Sequence, residues 1–193
     1  METSSQRVAT ALLIMDIQAG TVGMVPDGPS LLESLGQAIT AARAAQVPVI
    51  YVVVGFRKGI PEITTATTNK SFAAIKGSGW PGIEEPIQID PAIAPQPGEM
   101  VVTKRRVSAF AGSDLEVILR GHKIEHLVLT GIATSGVVLS TVREAADKDY
   151  RLTVLSDGCA DRDPEVHSVL LNKVFPRQAD VLTTAQWAAG LGK

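Results

Sequence analysis

The sequence predicts an α/β fold: a parallel sheet with helices on both faces. Three observations carry this. Short apolar runs alternate with amphipathic stretches five or six times along the chain, and that alternation builds a parallel sheet. The 193 residues make one domain by length, and a chain of this size buries about 70% of its unfolded surface without staples. The single cysteine, Cys159, excludes an intrachain disulfide and a multi-thiolate zinc site.

Val8 to Met15, apolar apart from Thr10, reads as a strand buried on both faces and ends at Asp16. Ser30, with Glu33 three residues on, reads as a capping box for a helix over about 30–46. Leu31, Leu35, Ile39 and Ala42 supply its apolar stripe. Val49 to Val54 is a second strand, rich in β-branched residues.

Residues 55–99 differ. Six prolines (Pro61, Pro81, Pro86, Pro91, Pro95, Pro97) and six glycines fall in this stretch, with a short helix expected at about 69–75. Connections this long are usually functional loops. Regular alternation then returns: a strand at 100–103, a helix at 113–121 with Ser113 as N-cap, and a strand at 126–130. A helix at 134–148, a strand at 152–155, a helix from Asp163 and Pro164, a strand at 180–182 and a helix at 184–191 complete the order.

Eighteen basic residues oppose 20 acidic ones, a net charge of −2. Nucleic-acid binding needs a basic face that releases counterions, so that partner is not expected. No basic segment precedes an apolar stretch at the N-terminus, and no apolar run is long enough to span a bilayer. A soluble, cytoplasmic protein without a membrane partner is the expectation.

In open α/β sheets ligands bind beyond the carboxyl ends of the strands. Asp16, with Gln18 nearby, follows a wholly apolar strand. A carboxylate there must be paired or hydrogen-bonded, whether as a turn residue or as an acid or base. Lys104 emerges from the strand in Val-Val-Thr-Lys-Arg-Arg-Val-Ser-Ala-Phe and can face Asp16. Arg105 and Arg106 then point elsewhere, since side-chain direction alternates along an extended chain. Thr130 to Val138 is a strand end, a small-residue turn and a helix start. Backbone N–H groups at such a start can hold an anion. Cys159 in Asp157-Gly158-Cys159-Ala160-Asp161 reads as a buried structural residue.

Taken together, Leu-Leu-Ile-Met-Asp-Ile-Gln around Asp16, the Lys104 segment, Gly-Ile-Ala-Thr-Ser-Gly-Val-Val-Leu-Ser-Thr from Gly131, and Thr-Val-Leu-Ser-Asp-Gly-Cys-Ala-Asp from Thr153 resemble the isochorismatase-like hydrolase superfamily. The resemblance runs from about Ala9 to Leu182 and implies a three-layer, doubly wound domain. It implies a six-stranded parallel sheet in the order 3-2-1-4-5-6, with the 55–99 loop as active-site wall. It further implies a shared pocket for Asp16, Lys104 and the 131–137 turn, a cis peptide near Ile132–Ala133, and oxyanion donors at the N–H groups of Ala133 and Val137. A homo-oligomer, dimer or tetramer, is implied as well.

The amidase members carry a cysteine in the pattern G-x-x-T-x-x-C, where this chain has Val137. Amide hydrolysis through a thioester is therefore not expected. Isochorismatases also dispense with that cysteine and cleave a vinyl ether. Asp16 can act as their general acid if its pocket raises its pKa, although Lys104 opposes the rise. They carry a tyrosine where Val107 stands and a glutamine missing from Val54-Gly55-Phe56-Arg57, which argues against isochorismate itself. The D-x-H that holds the nicotinamidase metal is absent, so neither metal nor other cofactor is expected. Gln18 is a candidate to orient substrate or water. Arg57 is a candidate for a substrate carboxylate or a solvated loop residue. Phe56, Phe72 and Trp80 are candidate apolar walls. The expected function is a small-molecule hydrolase without a cysteine nucleophile, Asp16 serving as acid or base beside Lys104. The alternative is an inactive member that binds a small ligand or a protein partner.

Overall fold

A computed structural model describes residues 9–18, 20–75 and 88–191. Six strands form one parallel sheet in the order β3-β2-β1-β4-β5-β6. They are β1 (Thr10–Met15), β2 (Val49–Val54), β3 (Met100–Lys104), β4 (His126–Ile132), β5 (Arg151–Ala160) and β6 (Asp180–Leu182). The strand order is the expected one. It reverses between β1 and β4, where Met15 pairs with Gly131, so the ends of these two strands open side by side.

Helices α1 (Gly28–Ala44), α2 (Lys70–Ala73), α3 (Leu115–Gly121), α4 (Leu139–Asp147), α5 (Pro164–Val169) and α6 (Thr184–Gly190) connect them. Alternate side chains of the central strands feed two cores. Leu13, Met15 and Leu129 pack with α3 and α4 residues such as Leu115 and Val142. Leu12, Ile14 and Val128 pack with Leu35 and Ile39 of α1 and Trp187 of α6. Strands covered on both faces must be apolar at every position, which is why β1 and β2 read as unbroken runs.

Several helix starts differ from the expected ones. α1 begins at Gly28, because Asp27 Oδ1 accepts from the Ser30 N–H and takes the N-cap role. Pro29 in the first turn lacks an N–H that would need a partner. α3 begins after Asp114, although the Ser113 hydroxyl still accepts from the Leu115 N–H. The segment expected to open the 134–148 helix is a wider π-type turn, Thr134–Val138, before α4 proper. Asp163 caps α5 as expected, accepting from Glu165 and Val166. β5 runs to Ala160, well past its expected end. Its register with β4 shifts after Leu129, so that Cys159 lies opposite Gly131.

Candidate active site

Asp16 leaves β1 in the left-handed region, φ 57°. Its N–H donates to the Val52 carbonyl (2.8 Å), and its carbonyl accepts from the Thr21 hydroxyl (2.8 Å). The turn is thus fixed on both sides of the residue. Lys104, the last residue of β3 and 2% exposed, reaches across β2 to place Nζ 3.0 Å from Asp16 Oδ2. Its second contact is the Arg106 carbonyl, 2.9 Å away. Asp16 Oδ1 is buried with no side-chain or backbone hydrogen-bond partner among the described residues. Burial lifts the Asp16 carboxyl strongly, the charge and hydrogen bond of Lys104 and a backbone hydrogen bond at Val54 pull it back, and the balance leaves it at about 6. The pair predicted from the two strand ends is formed.

The 133–138 turn closes the β4 side. The Ile132–Ala133 peptide is cis, as the resemblance implied. Two residues that the sequence reading did not single out anchor the turn. Asp161 Oδ2 accepts from the Ser135 N–H at 2.7 Å, and His167 Nδ1 shares a hydrogen bond with the Thr134 hydroxyl at 2.8 Å. Burial pushes the His167 imidazole down, against the pull of Asp161. Asp161 stands just past the end of β5, the same signal that marked Asp16. His167 sits on α5, where nothing in the sequence connects it with Thr134. Val137 is 2% exposed and packs in the core with Phe110, Val142 and Cys159.

The remaining candidates divide. Both ends of the Gln18 amide are engaged by Val54, whose N–H donates to Oε1 (3.0 Å) and whose carbonyl accepts from Nε2 (3.3 Å). This buried amide ties the exit of β1 to the end of β2. Arg57 pairs with Glu62 at 2.7 Å while its side chain is 68% exposed, the solvated-loop alternative. Phe56 and Phe72 do meet, edge to face with centroids 6.1 Å apart, and pack with Val54 and Ile63. Trp80 lies outside the described residues. Among the described residues, no group of three or more His, Cys, Asp or Glu could hold a metal. No helix there is long and apolar enough to cross a membrane.

The isochorismatase domain family matches residues 10–186. The chain belongs to this family. It is 33% identical over 181 residues to the isochorismatase family protein YwoC of Bacillus subtilis (strain 168), spanning 92% of each chain. It is 31% identical over 167 residues to the N-carbamoylsarcosine amidase of an Arthrobacter species, spanning 86% of this chain but 63% of the amidase. An isochorismatase family protein from Burkholderia thailandensis has the same fold, with TM-score 0.80, 31% identity and 96% of both chains covered. Sequence and structure therefore place this chain in a hydrolase family, with the Asp16–Lys104 pair at the switch point of the family fold.

Proposed function

We propose that this isochorismatase-family protein hydrolyses a small molecule without a cysteine nucleophile, with Asp16 as the acid–base group. The observation that carries this is the divided carboxyl of Asp16. Oδ2 is held by Lys104, while Oδ1 is buried without a hydrogen-bond partner among the described residues. The pKa of about 6 lets the group both hold and release a proton near neutrality. We align Val137, a core residue with no nucleophilic atom, with the cysteine of the amidase pattern, and on that alignment a thioester route has no sulfur to form on.

Vinyl ether hydrolysis fits such an acid. The Asp16 carboxyl protonates the vinyl carbon, and an oxocarbenium ion forms. Water adds to the oxygen-bearing carbon and returns its proton to the carboxylate. The resulting hemiketal collapses to an alcohol and a carbonyl compound. Lys104 holds the carboxyl in place throughout and stabilises the carboxylate that protonation leaves behind. An acid of this pKa works in its protonated form, so the rate falls as pH rises through about 6.

The test is turnover of a panel of amides, carbamoyl compounds and vinyl ethers by wild type and Asp16→Asn, with the fold checked by circular dichroism. Loss of about 100-fold or more in the variant supports the proposal, and the class turned over names the substrate. Equal activity of the two proteins removes Asp16 from the chemistry. No turnover of any class by wild type leaves the ligand-binding alternative, in which the apolar Val137 marks lost chemistry.

A further inference from the structure

A cavity of about 360 Å³ is lined by Glu62, Thr64, Ala66, Thr67, Thr68, Asn69 and Arg106. Its polar groups are unevenly used. The Thr64 hydroxyl accepts from the Ala66 N–H and the Thr67 hydroxyl from the Thr64 N–H. Asn69 Oδ1 accepts from Ser71 and Phe72. Each of these groups has spent acceptor capacity on the backbone, and each keeps a hydrogen to donate. Glu62, the one carboxylate on the wall, receives the Arg57 N–H on both oxygens and the Arg57 guanidinium on Oε1. Those hydrogen bonds outweigh burial, which works to raise it, and hold its carboxyl below the ordinary range.

Charge is uneven as well. Arg57 and Arg105 both face Glu62, at 2.7 and 3.4 Å. Arg106 forms no ion pair among the described residues. Two of its five N–H groups go to the carbonyls of Arg105 and Glu62. Its guanidinium lies over the Phe72 ring, 5.3 Å from the centroid, which fixes the plane of the fork. Two guanidiniums thus share the Glu62 carboxylate, and the third, Arg106, lines the cavity without a carboxylate partner among the described residues. The Lys104 ammonium donates to the Arg106 carbonyl, so one residue of the cavity wall touches the reactive pair through its backbone.

We propose that this cavity is the subsite for a carboxylate on the small-molecule substrate, held by the Arg106 guanidinium with the hydroxyls of Thr67 and Thr68 and the Asn69 amide N–H. The one carboxylate on the wall, Glu62, is already engaged by Arg57 and Arg105, so an ammonium would face the Arg106 guanidinium with no uncommitted carboxylate among the described lining residues. A carboxylate supplies the missing counterion and accepts the unused hydrogens. The proposal rests on the reading of Asp16 and Lys104 as the reactive pair only in naming the ligand a substrate.

The probe is 4-fluorobenzoate followed by fluorine NMR, with neutral 4-fluorobenzamide of the same shape as control. Saturable binding of the acid but not the amide is expected. Arg106→Gln should weaken it about tenfold or more, since hydrogen bonds to a charged group are among the stronger ones, and Arg106→Lys less. Thr68→Val, at an exposed loop position, should weaken it about threefold and serves where Arg106→Gln does not fold. Equal binding of acid and amide, no binding by wild type up to about 10 mM, or unaltered affinity in folded Arg106→Gln or in Thr68→Val would overturn the subsite. Asp16→Asn should bind the probe like wild type. If that variant also keeps full turnover, the catalytic reading falls and the subsite stands.

Discussion

Lys104 Nζ lies 3.0 Å from Asp16 Oδ2, reached across the full width of β2, while Oδ1 of the same carboxyl has no hydrogen-bond partner among the described residues. Burial is the larger effect on this carboxyl; the charge and hydrogen bond of Lys104 and a backbone hydrogen bond at Val54 oppose it, and the group sits at about 6.

That pKa makes stability depend on pH in a stated direction. The folded protein holds the Asp16 proton more tightly than the unfolded chain, whose value is 3.8. The stabilisation is therefore complete below pH 3.8 and is lost as pH rises through about 6. The change is about 2–3 kcal/mol. Asp16→Asn has no such proton, so its unfolding free energy should gain that amount relative to wild type between pH 3.5 and 7.5. Urea titrations at the two pH values measure it, and parallel changes in both proteins would contradict it. His126, pushed down to about 4 by burial, acts in the opposite direction over the same range, but it is common to both proteins and cancels. Lys104→Met removes both lysine effects that lower the Asp16 pKa, so its window of loss should move to higher pH.

How much of this was legible in the sequence follows from locality. β1 and β2 are covered on both faces, so their composition alone announced them. Asp16 and Lys104 were readable as polar residues at strand ends. Their contact was readable once the resemblance supplied the strand order. The start of α1 was missed because two acceptors, Asp27 and Ser30, compete within one turn, and the carboxylate took the cap. The use of the Gln18 amide was hidden because its partner, Val54, is 36 residues away. The anchoring of Thr134 by His167 was hidden for the same reason. The donor-rich cavity depends on which lone pairs the loop backbone consumes, and composition does not encode that.

Gly131 and Gly158 flank the switch point but should respond differently to a methyl group. A Cβ on Gly131 would lie 2.4 Å from the Met15 carbonyl oxygen, at φ 147°. Neither the backbone of β1 nor the dihedral can yield, so Gly131→Ala should cost about 3 kcal/mol or more. A Cβ on Gly158 would meet Thr130 Cγ2 at 2.9 Å and Leu155 Cβ at 3.1 Å. The Thr130 methyl belongs to a buried, hydrogen-bonded side chain and the Leu155 Cβ moves only with its backbone, but no backbone oxygen is struck, and the cost of Gly158→Ala should be about 1–3 kcal/mol. Thermal unfolding of the two variants gives the order, and a reversed order would mean that β1 and β4 are less closely apposed than described. Gly131→Ala should also reduce turnover, because Met15 immediately precedes Asp16.

Cys159 provides the last prediction, which separates this chain from a thiol enzyme. Its side chain is buried opposite Gly131, its Sγ facing the Leu129 carbonyl at 3.9 Å. Burial pushes the thiol up to about 12; the contact with Gly131 works against this more weakly, and Asp157 adds to it. At pH 8 only about one molecule in ten thousand would carry the thiolate, the form that reacts. Iodoacetamide should therefore leave the folded protein unlabelled by mass spectrometry and its turnover intact. In urea the same reagent should add once, at a rate that follows the unfolded fraction. Cys159→Ala removes one buried sulfur and should lower stability by about 1–2 kcal/mol, with turnover kept. Labelling of the folded protein with loss of activity, or an inactive but folded Cys159→Ala, would return a thiol to the reaction and displace Asp16 as its principal group.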